Sequence, residues 1–332
     1  MPKIKAQIAA ESLLQRHCSL VSTSKDAIPF STHLTRFSRR APYDPKDKTT
    51  QSNVHLGQRK LLMSEIQLLT TFYQRATKPD QHPLVLYIGA APGTHLLFLH
   101  TLFPGARFIL YDGAKFDPRL KSKPNTFELH NEFFTDDTCR ALKASTKISK
   151  ESTKELIFIS DIRLGGDTHA KFESQVNRDN ALQLGWVKLL KPKYSLLKFR
   201  LPYSLKHGDK IEYVKGKVFF QVWPPHASGE TRLLVTRANI NKVQEYDFKT
   251  YEESLVFHNK YARRFCFPTP IPHPQGFCTC YDCMAELYTL QAYSKLRGVP
   301  VPTLMKNMAR AEYGLKPIPF PKTPPPIEIY KR

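Results

Sequence analysis

Six short apolar runs punctuate the chain between Leu84 and Thr236, and the helix-length stretches between them restrict the fold more than any other feature. The runs are LVLYIG (84–89), RFILYD (107–112), ELIFISD (155–161), YSLLKFRL (194–201), VFFQVW (218–223) and TRLLVT (231–236). Strands separated in this way call for a parallel sheet covered on both faces, because each crossover must return along the sheet before the next strand starts. Only the short WPPHASGE connection links the last two runs, which predicts an antiparallel pair. The expected architecture is α/β, doubly wound and Rossmann-like, with an antiparallel final strand. A helix should precede it, since Leu61, Leu62, Met63, Ile66, Leu69, Phe72 and Tyr73 recur at helical spacing within 56–76. A helical pattern also runs from Tyr246 to Arg264. Beyond it come a Pro-rich passage, helices near 280–297 and 302–312, and a tail from Lys316 whose six prolines forbid regular structure.

Lys plus Arg number 50 against 29 Asp plus Glu, a formal net charge of +21, which points to a polyanionic partner such as nucleic acid. The six cysteines do not form the paired framework of a small secreted protein, so a reducing, cytoplasmic setting is expected. No run approaches the roughly 18 apolar residues of a membrane span, and no membrane partner is expected. Residues 1–40 are Ser-rich and acid-poor, the composition of a basic arm that lies against RNA or of a mitochondrial transit peptide.

The first run leads directly into Gly89-Ala90-Ala91-Pro92-Gly93-Thr94-His95. A glycine turn at a strand's carboxyl edge lets the backbone approach a nucleotide-type ligand. The dinucleotide fingerprint lacks its third glycine here and has Pro92 in the loop, which favours a ligand without phosphates, such as S-adenosylmethionine. Asp112 ends the second run, where a carboxylate can accept from a ribose diol or, alternatively, form a turn with Gly113. Tyr87 fits either a core aromatic or a ligand contact.

Asp161, Lys198 and Glu230 interrupt apolar runs at positions where an unpaired charge is expensive. In the expected sheet all three lie at the carboxyl edge beside the glycine turn, and Lys60 on the preceding helix is a fourth candidate. Taken singly, each has a plain alternative as a solvated helix lysine, a loop cap, a snorkelling lysine or a turn glutamate. The coincidence of the four carries the argument.

GQRKLL (57–62), YIGAAPGTH (87–95), LYDGAKFDPRL (110–120), ISDIR (159–163), LLKFRLPY (196–203) and SGETRLL (228–234) resemble, in order and near spacing, the poxvirus-type cap-specific mRNA 2'-O-methyltransferases. That family doubles as the small subunit of the viral poly(A) polymerase and is similar to the wider FtsJ-like RNA 2'-O-methyltransferases. The resemblance covers about residues 43–260. It implies an S-adenosylmethionine-dependent fold at 43–264, flanked by a basic arm (1–42), a helical extension with the cysteine cluster (265–315) and a Pro-rich tail (316–332). It also implies Lys60, Asp161, Lys198 and Glu230 as a catalytic tetrad with Lys198 as general base, and methyl-donor contacts from Gln58, Tyr87, Gly89, Ala91, Gly93, Asp112 and Phe134. Where the family has an arginine, this chain has Ala114, with Lys115 as the neighbouring substitute.

For the capped RNA, the resemblance implies Tyr43 and Tyr203 as the two rings that sandwich 7-methylguanine and Glu252 as a carboxylate at the base edge; Ser228 is a further candidate for contact with the cap or RNA, and Arg200 one for the downstream phosphates. A second family carboxylate position holds Leu205; Asp209 and Glu212 are the nearby acids that can compensate. Basic residues including Arg163, Arg178, Lys188, Lys191 and Lys193 are expected to follow downstream phosphates. The implied partners are capped mRNA and a poly(A) polymerase catalytic subunit. Two rival functions stay open on the sequence: a cap-independent RNA 2'-O-methyltransferase and a non-catalytic RNA-binding polyadenylation subunit. Nothing in the resemblance requires a metal, although Cys266, Cys278, Cys280 and Cys283, with His273 nearby, are candidate zinc ligands whose alternative is a set of thiols at a helix start.

Overall fold

A computed structural model of the chain describes residues 28–46, 56–78, 81–145, 148, 155–163, 169–225, 228–265, 267 and 279–312. The helices are α1 (Gly57–Gln74), α2 (Leu96–Leu102), α3 (Asp136–Ala144), α4 (His169–Leu190), α5 (Phe248–Lys260), α6 (Tyr281–Arg297) and α7 (Val301–Glu312). The strands are β1 (Leu84–Ile88), β2 (Arg107–Tyr111), β3 (Phe127–His130), β4 (Leu156–Ser160), β5 (Tyr194–Phe199), β6 (Lys210–Val214), β7 (Lys217–Phe219), β8 (Thr231–Thr236) and β9 (Val243–Asp247). Seven of them form one sheet in the order β3-β2-β1-β4-β5-β8-β7; β6 and β9 pair separately as an antiparallel ribbon. The pairs from β3 to β5 are parallel, whereas β8 runs antiparallel to both β5 and β7.

Strand parity explains the two-sided core. Val85, Tyr87, Phe108, Leu110, Ile157, Ile159, Tyr194 and Leu196 join the apolar residues of α1, α2, α6 and α7. Their neighbours Leu86, Ile88, Ile109, Tyr111, Leu156, Phe158, Leu197 and Phe199 meet α3, α4 and α5 on the other face. Successive side chains point to opposite faces, so a strand covered on both sides reads as a continuous apolar run. The helical extension belongs to this same core: Tyr281, Leu290 and Tyr293 pack with α1, and Arg59 is paired with Glu286 at 2.6 Å, both buried.

Two expected elements are redrawn. The VFFQVW run keeps strand pairing only through Phe219, because Gln221 turns to bond Glu230 and the Trp223 amide donates to Asp282 at 2.8 Å. The helical pattern begins at Phe248 and not at Tyr246. Tyr246 pairs with Ile211 in the ribbon, and the Asp247 side chain caps α5 by accepting from the Thr250 amide at 2.6 Å. The first 27 residues, Cys266, His273, Cys278 and the Pro-rich tail lie outside the described residues.

Candidate active site

Asp161, Lys198 and Glu230 share strand parity, and so does Arg232, which pairs directly with Lys198 across the β5–β8 ladder. All four therefore face α1, where Lys60 sits on the first turns of the helix. Lys60 Nζ donates to Glu230 Oε1 at 3.0 Å; Lys198 Nζ lies 3.2 Å from Glu230 Oε2 and 3.2 Å from Asp161 Oδ1. Arg232 donates to Asp161 Oδ1 at 2.5 Å, to the Ser160 carbonyl at 3.2 Å and to Gln221 Oε1 at 3.2 Å. Gln221 in turn donates to Glu230 Oε1 at 2.9 Å. The four expected residues are in one cluster, and Arg232 and Gln221 complete it.

Three cations face two carboxylates here. Burial pushes the Glu230 carboxyl upward, but Lys60, Lys198 and Arg232 overcome it and hold the group well below the usual carboxylate range. Asp161 is lowered in the same manner, burial being outweighed by Arg232 and Lys198. Burial is the main cause that lowers the Lys60 ammonium; Glu230 opposes it, and Arg232 adds to it. Arg232 is fixed in its charged form, its burial outweighed by the two carboxylates.

Sequence reasoning passed over Arg232, although the signal was present. An arginine inside the apolar run TRLLVT is as expensive to bury as Lys198, and it is 1% exposed. Gln221 gave no comparable signal, since a lone amide in a strand-like run is compatible with an edge position.

The glycine turn abuts this cluster. Gly89 has φ +77°, and a Cβ there would stand 2.9 Å from the Asp161 carbonyl carbon, so the turn and the acid are packed backbone to backbone. Asp112 accepts from the Ala91 amide through one oxygen and from the Ala114 amide through the other, each at 2.8 Å. The turn-forming role and the acidic role thus coexist, since a carboxylate has about four acceptor sites. Gln58 accepts from Thr94 at 2.9 Å and lies 2.8 Å from His95 Nδ1, which ties the start of α1 to the loop and leaves its amide donors uncommitted to either. Gly93, with φ +68°, closes the turn against Leu96.

Two of the expected donor contacts have buried side chains. Tyr87 is 0% exposed, because its parity sends it into the core behind the turn. Phe134 is likewise buried, edge-on to Tyr111 and Trp186 at 4.9 Å each. Its neighbour Phe133 is the exposed ring, and a Cβ on Gly113 would meet it at 2.7 Å, next to Asp112. Lys115 is exposed on the same turn.

Tyr203 stands close to the tetrad. A Cβ on Gly229 would fall 2.0 Å from the Tyr203 hydroxyl, so the absence of a side chain there admits the ring beside Glu230. The Arg200 guanidinium lies over that ring at 4.3 Å, and Glu173 fixes both, pairing with Arg200 at 2.5 Å and accepting from the Tyr203 amide at 2.6 Å. Ser228 Oγ accepts from the Glu230 amide at 3.2 Å. Glu252 is paired with His207 at 2.9 Å. Tyr43 is 61% exposed, on a segment tied to α5 through the Ala41 amide, which donates to the Glu253 carbonyl at 3.0 Å. Leu205 packs against the core, Asp209 caps the Lys206 amide at 2.8 Å, and Glu212 stands exposed in β6.

Of the basic residues expected along the RNA, Arg163 is paired with Asp179 at 3.3 Å. Lys191 and Lys193 lie before β5, at the sheet edge away from Lys198. Cys280 and Cys283 are buried at the start of α6, and no metal-binding group of three or more His, Cys, Asp or Glu occurs among the described residues. No helix among the described residues is long and apolar enough to cross a membrane.

The sequence profile of the family described as "Poly A polymerase regulatory subunit" matches residues 29–309. The chain belongs to that family. Among its relatives, the cap-specific mRNA (nucleoside-2'-O-)-methyltransferase of Myxoma virus (strain Lausanne) is 28% identical over 231 residues, covering 67% of this chain and 66% of that protein. The Fowlpox virus (strain NVSL) protein of the same name is 31% identical over 225 residues, covering 64% of this chain and 71% of its own length. The chain thus spans about two thirds of the length of these curated relatives.

Proposed function

We propose that this protein is an S-adenosylmethionine-dependent cap-specific mRNA 2'-O-methyltransferase, acting on the ribose 2'-hydroxyl of the first transcribed nucleotide. The observation that carries the reading is the meeting of Lys60, Asp161, Lys198 and Glu230 beside the glycine turn. The names of its relatives support it. Its work as a regulatory subunit beside a poly(A) polymerase catalytic subunit, in the cytoplasm, is part of the same proposal.

The chemistry asked of the protein is modest. S-adenosylmethionine supplies an electrophilic methyl group, so the chain has to place a hydroxyl in line with it and accept a proton. Lys198 suits that task by geometry. Its nitrogen has three positions besides the Cε bond, and Asp161 and Glu230 occupy two of them. Carboxylates accept and do not donate, so they take N–H groups and leave the third position to the lone pair of the neutral amine. Lys60 and Arg232, with Lys198, set three cations against the two carboxylates. Gly89 and Gly93 give the donor backbone access, and the remaining acceptor sites of Asp112 suit a ribose diol.

Tyr43 and Tyr203 serve the cap in this reading. A 7-methylguanine is cationic and gains about 1–3 kcal/mol per stacked ring from aromatic faces. Arg200 occupies one face of Tyr203, so the base stacks on the other. The test is transfer of labelled methyl to a short capped RNA, run beside the uncapped RNA. Methylation confined to the capped RNA supports the proposal; equal methylation of both moves the protein to cap-independent RNA methylation; none with either makes it a binding subunit.

A further inference from the structure

The sheet edge opposite the tetrad carries a groove that the reading above does not use. It has a volume of about 520 Å³ and lies where the end of α1, with Arg75, meets the Lys215–Lys217 turn and the segment from His33 to Arg36. That segment is seated on the edge strand by the His33–Phe219 bridge and by the Leu34 amide, which donates to the Val218 carbonyl at 2.9 Å. Tyr194 at the start of β5 and Thr236 at the end of β8 floor the groove. Lys198 is further along β5, about 13 Å away at ~3.3 Å per residue.

The lining holds Arg36, Arg75, Lys215 and Lys217, all exposed, and no acidic residue. These charges press on their surroundings. Burial and then Lys217 lower the pKa of His33. At the same edge, burial lowers Lys193 and, against the opposing pull of Glu155, so do Arg237 and Arg75. A concave surface lined by one sign of charge focuses its field outward and binds a polyanion by releasing that polyanion's counterions.

An acidic protein surface and a nucleic-acid backbone both carry negative charge, but stable protein interfaces centre on exposed aromatic or aliphatic anchors. The exposed large hydrophobics among the described residues are Phe37, Tyr43, Phe133, Leu189, Tyr203, Val243, Tyr261 and Tyr288, and none of them lines this groove. Exposed arginine and lysine around a floor of buried or half-buried apolar side chains, with no exposed apolar anchor, suit phosphates.

We propose that this groove is a second RNA-binding site, which takes the phosphates of single-stranded RNA at the edge of the sheet opposite the methyl-transfer cluster. It does not depend on the catalytic reading, and its contacts are sequence-independent.

The test uses the full chain and the double variant Arg75→Ala/Lys217→Ala, whose wild-type side chains are exposed and outside the core. The probes are an uncapped single-stranded RNA of about 30 nucleotides, a capped tetranucleotide and a polyglutamate peptide. Loss of two phosphate contacts should weaken binding of the long RNA about tenfold near 0.1 M salt and flatten the log–log salt slope by about 1.4. Methylation of the capped tetranucleotide should be unchanged. Unaltered affinity and slope in the variant overturn the proposal, and so does loss of peptide binding with RNA binding intact, which assigns the groove to an acidic protein. Failure of the wild type to methylate the tetranucleotide sinks the catalytic reading alone, because the long-RNA measurement does not involve methyl transfer.

Discussion

Glu230 holds Lys60 and Lys198 with its two carboxylate oxygens, one at 3.0 Å from the first amine and the other at 3.2 Å from the second. Through this single side chain, the helix that precedes the sheet is joined to the strand that supplies the proposed base. Gln221 also donates to the oxygen that Lys60 holds, at 2.9 Å. The bridge therefore places three elements that are far apart in sequence at one point on the sheet edge.

Lys198→Ala should abolish methyl transfer. A positioned acid–base group contributes about 10²–10⁴ to rate, and here the same group also orients the hydroxyl. Its nitrogen faces Asp161 and Glu230 and makes no contact with Asp112 or the glycine turn. Binding of S-adenosylmethionine, read by calorimetry, should therefore survive. Equal loss of donor binding and turnover would contradict the assigned role.

Acid should act on the cluster through its carboxylates. Asp161 and Glu230 have folded-state pKa values below their ordinary 3.8 and 4.5. A group lowered by folding binds fewer protons folded than unfolded, so its stabilisation is complete above the ordinary value and is lost as the pH falls toward the folded one. Glu230→Gln removes that share. The difference in unfolding free energy between wild type and variant should stay level from about pH 7 to about pH 5 and narrow below about 4.5. Urea titrations at stepped pH measure it, and a difference that widens in acid would reverse the assigned sign.

The sheet was largely legible because buried parallel strands are continuous apolar runs, and all six runs of the sequence map onto sheet strands, VFFQVW only as far as Phe219. The tetrad was legible because ionised side chains inside such runs are costly. The ribbon of β6 and β9 was not, since KIEYV and VQEYD carry too little apolar pattern to separate a strand from a loop or a helix start. Parity was the unused signal: counting alternate residues from Asp161, Lys198 and Glu230 brings Arg232 to the same face and sends Tyr87 to the core. Phe134 and Phe133 differ by one position, and only packing against Trp186 decides which ring is buried.

Gly229→Ala should disturb the cap side of the site. The new Cβ would meet the Tyr203 hydroxyl at 2.0 Å, so the ring has to move from beside Glu230. KM for capped RNA should rise about tenfold, near 1.4 kcal/mol, with donor affinity unchanged. Tyr203→Ala removes the ring itself and should reduce discrimination between methylated and unmethylated caps. Steady-state kinetics with both cap forms checks the pair, and undiminished discrimination in Tyr203→Ala would remove that ring from cap recognition.

Arg232 makes the strongest claim on stability. It is 1% exposed and satisfies Asp161, the Ser160 carbonyl and Gln221 at once. Arg232→Met fills much of the volume but leaves the Asp161 carboxylate beside one lysine where it had two cations. Breaking a buried pair from one side costs about 3–5 kcal/mol, whereas removing both partners costs much less, because no uncompensated charge remains. The double variant Arg232→Met/Asp161→Asn should therefore recover a large part of the loss. A thermodynamic cycle from urea unfolding of wild type, both single variants and the double variant measures the coupling. Additive single losses would mean that Arg232 acts through its bonds to Ser160 and Gln221 and not through the charge of Asp161.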